Sequence, residues 1–213
     1  NGSSKYNSFN GSTASFKLEG NIMSLIYGDD FKNKLAISST YAFYGLFKNC
    51  TKLVSAENLI LPANTLANSC YQGMFYGCTS LTTAPALPAT TLANECYSNM
   101  FQGCTSLTTA PVLPATTLAD NCYQDMFSGC TSLTTAPELP ATTLAMACYS
   151  GMFQDCTNLN YIKCLATDIS ASLCTYNWVS GVAATGTFVK AADMTGWTTG
   201  NSGIPEGWTK QNA

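Results

Sequence analysis

The stretch Cys78–Gly103 reads CTSLTTAPALPATTLANECYSNMFQG, and the chain repeats this 26-residue phrase with few changes. The second copy is Cys104–Gly129 and the third is Cys130–Asp155. A fixed period of about 20 to 50 residues is typical of proteins in which each repeat buries its apolar side only against its neighbours. The repeat therefore predicts a stacked architecture before any single residue is assigned a role.

The same register extends beyond the three clean copies, because Cys50-Thr51-Lys52-Leu53 and Cys156-Thr157-Asn158-Leu159 restate the opening of the phrase. The first unit carries two extra residues around Glu57–Ile60, which a surface turn accommodates at little cost. We predict an N-terminal cap at 1–49, five leucine-rich repeats at 50–181 (50–77, 78–103, 104–129, 130–155 and 156–181) and a C-terminal cap at 182–213.

Within a unit, the pattern changes along the phrase. Leu81-Thr82-Thr83-Ala84 is short and ends at Pro85, which favours a brief strand. Leu92, Cys96 and Met100 then recur every four residues, which predicts one face of a short helix ending at Gly103. We therefore predict an α/β solenoid, a leucine-rich-repeat right-handed superhelix with short parallel strands and short helices, capped at both ends.

The motifs CTSLTTAP, the following Leu-Pro pair and the MFxGC ending resemble the BspA-like leucine-rich repeats of surface proteins from gut Bacteroidetes. The resemblance covers roughly Leu46–Val182, and the tail Gly186–Trp208 is similar to the closing segment of such proteins. It implies a secreted or outer cell-surface protein, often anchored and sometimes adhesive. We expect any export signal or anchor to lie upstream or to have been removed, since the chain begins at Asn1 without a leader pattern.

The charge pattern excludes some partners. All nine cations are Lys, the formal net charge is −3, and no cation occurs between Leu53 and Ile162. Nucleic-acid binding needs a basic surface, so we expect no nucleic-acid partner. No apolar run is long enough to cross a bilayer, so we expect no membrane insertion by this segment.

Eleven cysteines leave three alternatives: buried free thiols, regular disulfides within each repeat, or a metal site. Ten of them form two columns, a column being the residues at one position in successive units. Where the columns continue outward, Ala42 and Val182 take the cysteine positions, which favours small apolar fillers over covalent partners. With no His and no CxxC pair, the pattern for zinc is weak. Cys164 stands at a variable position and is expected to be the most reactive thiol if it is exposed.

The residues that proton transfer requires are scarce. There is no His, and the carboxylates inside the repeats are single and scattered. Asp29-Asp30 is the one adjacent acidic pair; it favours a turn with a helix N-cap, with calcium coordination as the alternative. We predict that the protein is not an enzyme and that it has no catalytic residue, cofactor or metal.

Repetition itself can make a binding surface. Two columns are candidate ligand contacts: a threonine column on the predicted strands and a tyrosine column on the predicted helices. Threonines provide a hydroxyl-lined face, and rows of aromatic rings can stack on sugars. Solvation is nevertheless the favoured explanation of the threonine column, and partial burial with a solvated hydroxyl that of the tyrosine column. The candidate residues are Tyr71, Tyr97, Tyr123, Tyr149, Thr82, Thr108 and Thr134.

Sister units differ at few positions, and those are where selection for binding could act. They are Ala86/Val112/Glu138/Cys164, Glu95/Asn121/Ala147 and Gln72/Ser98/Gln124/Ser150. We predict a non-enzymatic interaction module for adhesion, binding a host or bacterial surface protein or glycan. A structural spacer without a ligand and a carbohydrate-binding protein for nutrient capture are the alternatives, and the oligomeric state stays open.

Overall fold

The computed structural model describes residue 9 and residues 11–213. Regular elements occupy a small part of the chain and lie mostly near its two ends. In chain order they are β1 (Phe16–Asn21), α1 (Ser24–Tyr27), a 3-10 helix (Gly28–Asn33), β2 (Leu53–Ile60), β3 (Tyr161–Cys164), β4 (Thr187–Lys190) and β5 (Thr209–Asn212).

The strands form two small parallel sheets. In the first, β1 pairs with β2, and Asn21 lies beside Ile60. In the second, β4 lies between β3 and β5, so that Tyr161 is beside Thr187 and Thr187 is beside Thr209. Each sheet therefore joins a repeat unit to one of the terminal regions of the chain.

The predicted α/β solenoid, a leucine-rich-repeat superhelix with a strand and a helix in each unit, is wrong. Within the described residues there is one α-helix, the four-residue α1, and it lies outside the repeats. The five strands belong to two small sheets and not to one continuous sheet through all units. The structure is a mostly non-helical fold built largely from turns.

The predicted helix over Leu92–Gly103 fails because its backbone is left-handed at every fourth residue. The backbone φ is +58° at Glu95, +57° at Asn99 and +73° at Gly103. A right-handed helix needs negative φ throughout, so these residues interrupt it at each turn. The four-residue recurrence in the sequence marks a chain of turns in place of a helix.

Backbone amides in this segment donate alternately to a carbonyl oxygen of the same unit and to one of the next unit. The amide of Ser98 donates to the carbonyl oxygen of Glu95 (3.1 Å) and closes a local turn. The amide of Asn99 donates to the carbonyl oxygen of Gln124 in the next unit (2.8 Å). Local turns and bonds between units together satisfy the backbone groups that a helix would have paired internally.

The predicted strand at Leu81–Ala84 is reduced to a single paired residue. Thr83 pairs in parallel with Ser55 and with Thr109. Pro85 follows, and because proline has no amide proton the pairing does not continue. In the fifth unit Lys163 takes the place of the proline, and there the longer strand β3 forms.

Contacts between sister units repeat every 26 residues. The ring of Phe75 stacks on that of Phe101 with centroids 5.5 Å apart, and Phe101 stacks on Phe127 at 5.7 Å. The same contacts extend into the predicted N-terminal cap, where Phe47 stacks on Phe75 at 5.5 Å. At the other end, Nε1 of Trp178 donates to the carbonyl oxygen of Gly203 (2.8 Å).

Among the helices of the described residues, none is long and apolar enough to cross a membrane.

Candidate functional site

The four candidate tyrosines lie in the core. Tyr71, Tyr97, Tyr123 and Tyr149 are each at most 1% exposed, and successive ring centroids are 5.7, 5.9 and 6.1 Å apart. Burial raises the pKa of their hydroxyls above the ordinary value. A ligand approaching from solvent does not reach these rings, so the column contributes packing and no binding surface.

The three candidate threonines lie on the surface. Thr82, Thr108 and Thr134 are exposed. The Oγ1 atom of Thr82 donates to the carbonyl oxygen of Val54 (2.9 Å), which ties the hydroxyl to the preceding unit. These residues are accessible to a partner, and their role in ligand contact stays a prediction.

All eleven cysteines are free thiols and all are buried. Of the three alternatives open from sequence, the structure therefore has buried free thiols. Cys164 is fully buried, and burial raises its pKa to about 12, so the exposure on which its expected reactivity depended is not present. Within the described residues, no group of three or more His, Cys, Asp or Glu side chains is placed to hold a metal ion.

The adjacent acidic pair lies in the 3-10 helix. Asp29 and Asp30 occupy its first turn, and the residue that caps this helix makes no side-chain hydrogen bond to it. The predicted turn is present, while the predicted side-chain cap is not.

A cleft lies at the surface beside the candidate threonines. It encloses about 520 Å³ between the first, second and third units. Its lining is mostly apolar and consists of Glu57, residues 83–88, residues 109–112 and Pro114. We call this cleft the proline groove, since Pro85, Pro88, Pro111 and Pro114 all contribute to it.

The local sequence explains why the groove is open. Each proline withholds the amide proton that a further ladder of strand pairing would need, so the pairing between Thr83 and Thr109 does not extend into the residues that line the groove. Val112 stands in this gap with 77% of its surface exposed. Val112 and the apolar walls of the groove together form a candidate contact surface for a partner.

The charge of the groove comes from one residue. Glu57 is exposed and belongs to β2, the longer strand of the first unit. Within the described residues, the one ion pair joins Lys163 and Glu138 at 3.1 Å, so Glu57 has no cationic partner there. The groove thus combines apolar walls with a carboxylate at one end.

Part of this site was visible in the sequence. Ala86 and Val112 stand at the position that varies between sister units, and both line the groove. The proline contribution was missed, because proline was interpreted only as the end of a strand. The missing signal is that Pro85 and Pro88 recur in phase on both sides of the variable residue.

No protein-family model, curated protein or solved structure matches the chain. The resemblance to BspA-like repeats therefore stays a prediction.

Proposed function

We propose that the protein is a non-enzymatic interaction module, secreted or on the outer cell surface, that binds an extended peptide segment of a partner protein in the proline groove. The observation that carries the proposal is the exposed Val112 within an open apolar groove of about 520 Å³. Grooves of this size, with apolar walls and few polar groups, are the usual sites for ligands.

The shape of the groove favours an extended partner. It crosses successive units, and its walls are built from small apolar residues and prolines. An apolar side chain of the partner gains contact with Val112 and Ala86, and the hydroxyls of Thr83 and Thr109 stand at the same wall. Each apolar contact contributes roughly 25 cal/mol per Å² removed from water.

The charge pattern favours a basic residue in the partner. Glu57 lines the groove, and no cation occurs in the sequence from Leu53 to Ile162. A Lys or Arg of the partner beside Glu57 meets a carboxylate without competition from a neighbouring Lys. Because the pair is exposed, its contribution falls with salt.

The test begins with a displayed library of linear peptides selected on the immobilised protein. Recovered peptides are then titrated against the protein by fluorescence anisotropy. The informative variant is Val112→Glu, since Glu138 occupies that position in the fourth unit and the substitution is compatible with the repeat. We expect at least about a tenfold weaker binding, because the carboxylate faces apolar groups of the partner.

The matched control is Asn94→Asp, which adds the same charge at an exposed position outside the groove and copies Asp120 of the next unit. Binding by this variant should equal that of the unmodified protein. A selection that yields no saturable peptide would contradict the proposal and favour the spacer alternative. Equal loss in the two variants would also contradict it, because the effect would then come from net charge alone.

A further inference from the structure

A second cleft lies on the chain of turns near the N-terminal end of the stack. It encloses about 240 Å³. The side chains of Tyr44, Lys48, Gln72, Tyr76 and Asn99 line it, together with the backbone of two glycines. It shares no residue with the proline groove. We call it the tyrosine cleft.

The tyrosine cleft is where the repeat pattern is broken. The column of Tyr44 continues as Gln72, Ser98, Gln124 and Ser150 and returns to tyrosine at Tyr176, and the column of Tyr76 begins at Lys48 and continues as Gln102, Ser128, Gln154 and Ser180. At this end of the stack, an aromatic ring thus stands where the central units have Gln or Ser, in two columns. Packing of the repeat does not require this change, since the sister units form the same turns without it.

A third column leaves the cleft open. Gly45 and Gly73 stand in the column that continues as Asn99, Asp125, Gly151 and Asn177, in which glycine alternates with Asn and Asp. Both glycines have left-handed φ, +57° and +60°, and Asn99 adopts the same conformation at +57°. Backbone geometry therefore permits a side chain at Gly73, and its absence leaves the space between Tyr44 and Tyr76 empty.

The polar groups of the cleft are held in place. The Nδ2 atom of Asn99 donates to Oε1 of Gln102 (2.7 Å), and its Oδ1 atom accepts from Oγ of Ser98 (2.7 Å). The amide of Gly73 donates to the carbonyl oxygen of Ser98 (2.8 Å). A floor fixed in this way loses little conformational entropy when a ligand binds.

The aromatic groups are accessible and oriented. Tyr44 is 40% exposed and meets the ring of Tyr41 edge-on with centroids 5.8 Å apart. The Nζ atom of Lys48 lies 4.6 Å from the centroid of the Tyr76 ring. This cation–π contact holds the Lys48 ammonium group against the Tyr76 ring and places a hydrogen-bond donor at the edge of the cleft.

These groups match the chemistry of a sugar. A pyranose ring has a face of C–H groups that packs against an aromatic ring and a rim of hydroxyls that exchange hydrogen bonds with amide and ammonium groups. We propose that the tyrosine cleft binds one pyranose ring of a neutral glycan, with Tyr44 and Tyr76 against its apolar face and Gln72, Asn99 and Lys48 around its hydroxyls.

The test is a glycan array followed by isothermal titration of the recovered glycan. Two variants copy the residue of the next unit and are therefore compatible with the fold: Tyr76→Gln copies Gln102, and Gly73→Asn copies Asn99. The first removes a ring and the second fills the space. We expect each to weaken glycan binding by about tenfold or more, while the thermal midpoint stays close to that of the unmodified protein.

The matched control is Tyr176→Gln, which removes a 53% exposed tyrosine from the column of Tyr44 at the far end of the stack. Unchanged glycan binding by this control, with Val112→Glu also unchanged, supports a site in the tyrosine cleft. The proposal is overturned if the unmodified protein gives no saturable glycan binding. It is equally overturned if Gly73→Asn binds normally, or if Tyr176→Gln loses as much affinity as Tyr76→Gln.

Discussion

The Sγ atom of Cys78 donates a hydrogen bond of 3.1 Å to the backbone carbonyl oxygen of Phe47 in the preceding turn segment. The same bond recurs from Cys104 to Phe75 (3.2 Å) and onward through the stack. Each of these thiols is fully buried and uses its proton to satisfy a backbone acceptor. The repeated cysteine is therefore a packing group with a donor, held in its protonated form.

Stability should fall steeply at alkaline pH. Burial raises the pKa of several thiols from about 9 to about 12, those of Cys70, Cys78, Cys96, Cys148, Cys156 and Cys164. Above pH 9 the unfolded chain releases protons that the folded chain keeps, so the free energy of unfolding decreases as pH rises from about 9 to about 12. Each such thiol contributes about 1.4 kcal/mol per pH unit.

Urea denaturation under reducing conditions, at about pH 8 and about pH 9.5, measures this effect. Cys96→Ala is the control, because it removes one buried thiol and should make the pH dependence shallower by the share of one group. A free energy of unfolding that does not change between the two pH values would contradict the protonated, buried state of these cysteines.

Gly186 should not tolerate a side chain. A Cβ atom there would lie 2.7 Å from Cε2 of Trp208 and against the backbone carbonyl of Asn160, which accepts the amide of Thr187 at 2.8 Å. Neither neighbour can move without disturbing the end of the stack. We expect Gly186→Ala to lower the free energy of unfolding by about 3 kcal/mol in a urea titration.

Gly196→Ala is the companion variant. Its new Cβ would meet only the flexible end of the Met194 side chain, with Cε 3.3 Å away. We expect a change below about 1 kcal/mol. Similar losses in the two variants would mean that the close approach at Gly186 does not determine the stability of this end.

Two substitutions in the buried tyrosine column should have opposite effects on the free energy of unfolding. The hydroxyl of Tyr123 is buried and has no hydrogen-bond partner among the described residues. Tyr123→Phe should therefore leave stability unchanged or raise it by up to about 1 kcal/mol. Tyr97→Ala should cost about 3 to 5 kcal/mol, since it removes a ring stacked on both neighbours.

Thermal and urea unfolding of the two variants settle the role of this column. Binding assays do not, because Tyr97→Ala is expected to unfold much of the protein. A folded and stable Tyr97→Ala variant would contradict the assignment of these rings to the core.

The sequence predicts which side chains pack together better than it predicts the path of the backbone. The 26-residue period identifies the residues that share a column, and the stacked pairs Tyr97–Tyr123 and Phe101–Phe127 have that spacing. Recurrence of apolar residues every four positions fits a helix and a chain of turns alike. The distinguishing signal is the column Gly73, Asn99, Asp125, since these are the residue types that adopt left-handed φ most readily.

The residues of the candidate sites were likewise only partly predictable from the sequence. Val112 was identifiable because it stands at a position where sister units differ. The column of Tyr44 was identified in part, because Gln72, Ser98, Gln124 and Ser150 stand where sister units differ, but Tyr44 and Tyr76 themselves were not singled out. Only the folded turns show that these two rings share one cleft with Gly73.

Left-handed φ also predicts where the chain can be stabilised. Leu173 has a φ of +57° and is 58% exposed, while Asn121 takes the corresponding position two units earlier with a φ of +55°. A branched apolar side chain is strained in this conformation, and Asn tolerates it better. We expect Leu173→Asn to raise the free energy of unfolding by about 1 kcal/mol in urea titrations. Leu35→Asn is the control, because Leu35 is 50% exposed and is not among the residues with positive φ. If Leu35→Asn raises the free energy of unfolding by the same amount, the effect comes from surface polarity, which would contradict backbone strain at Leu173.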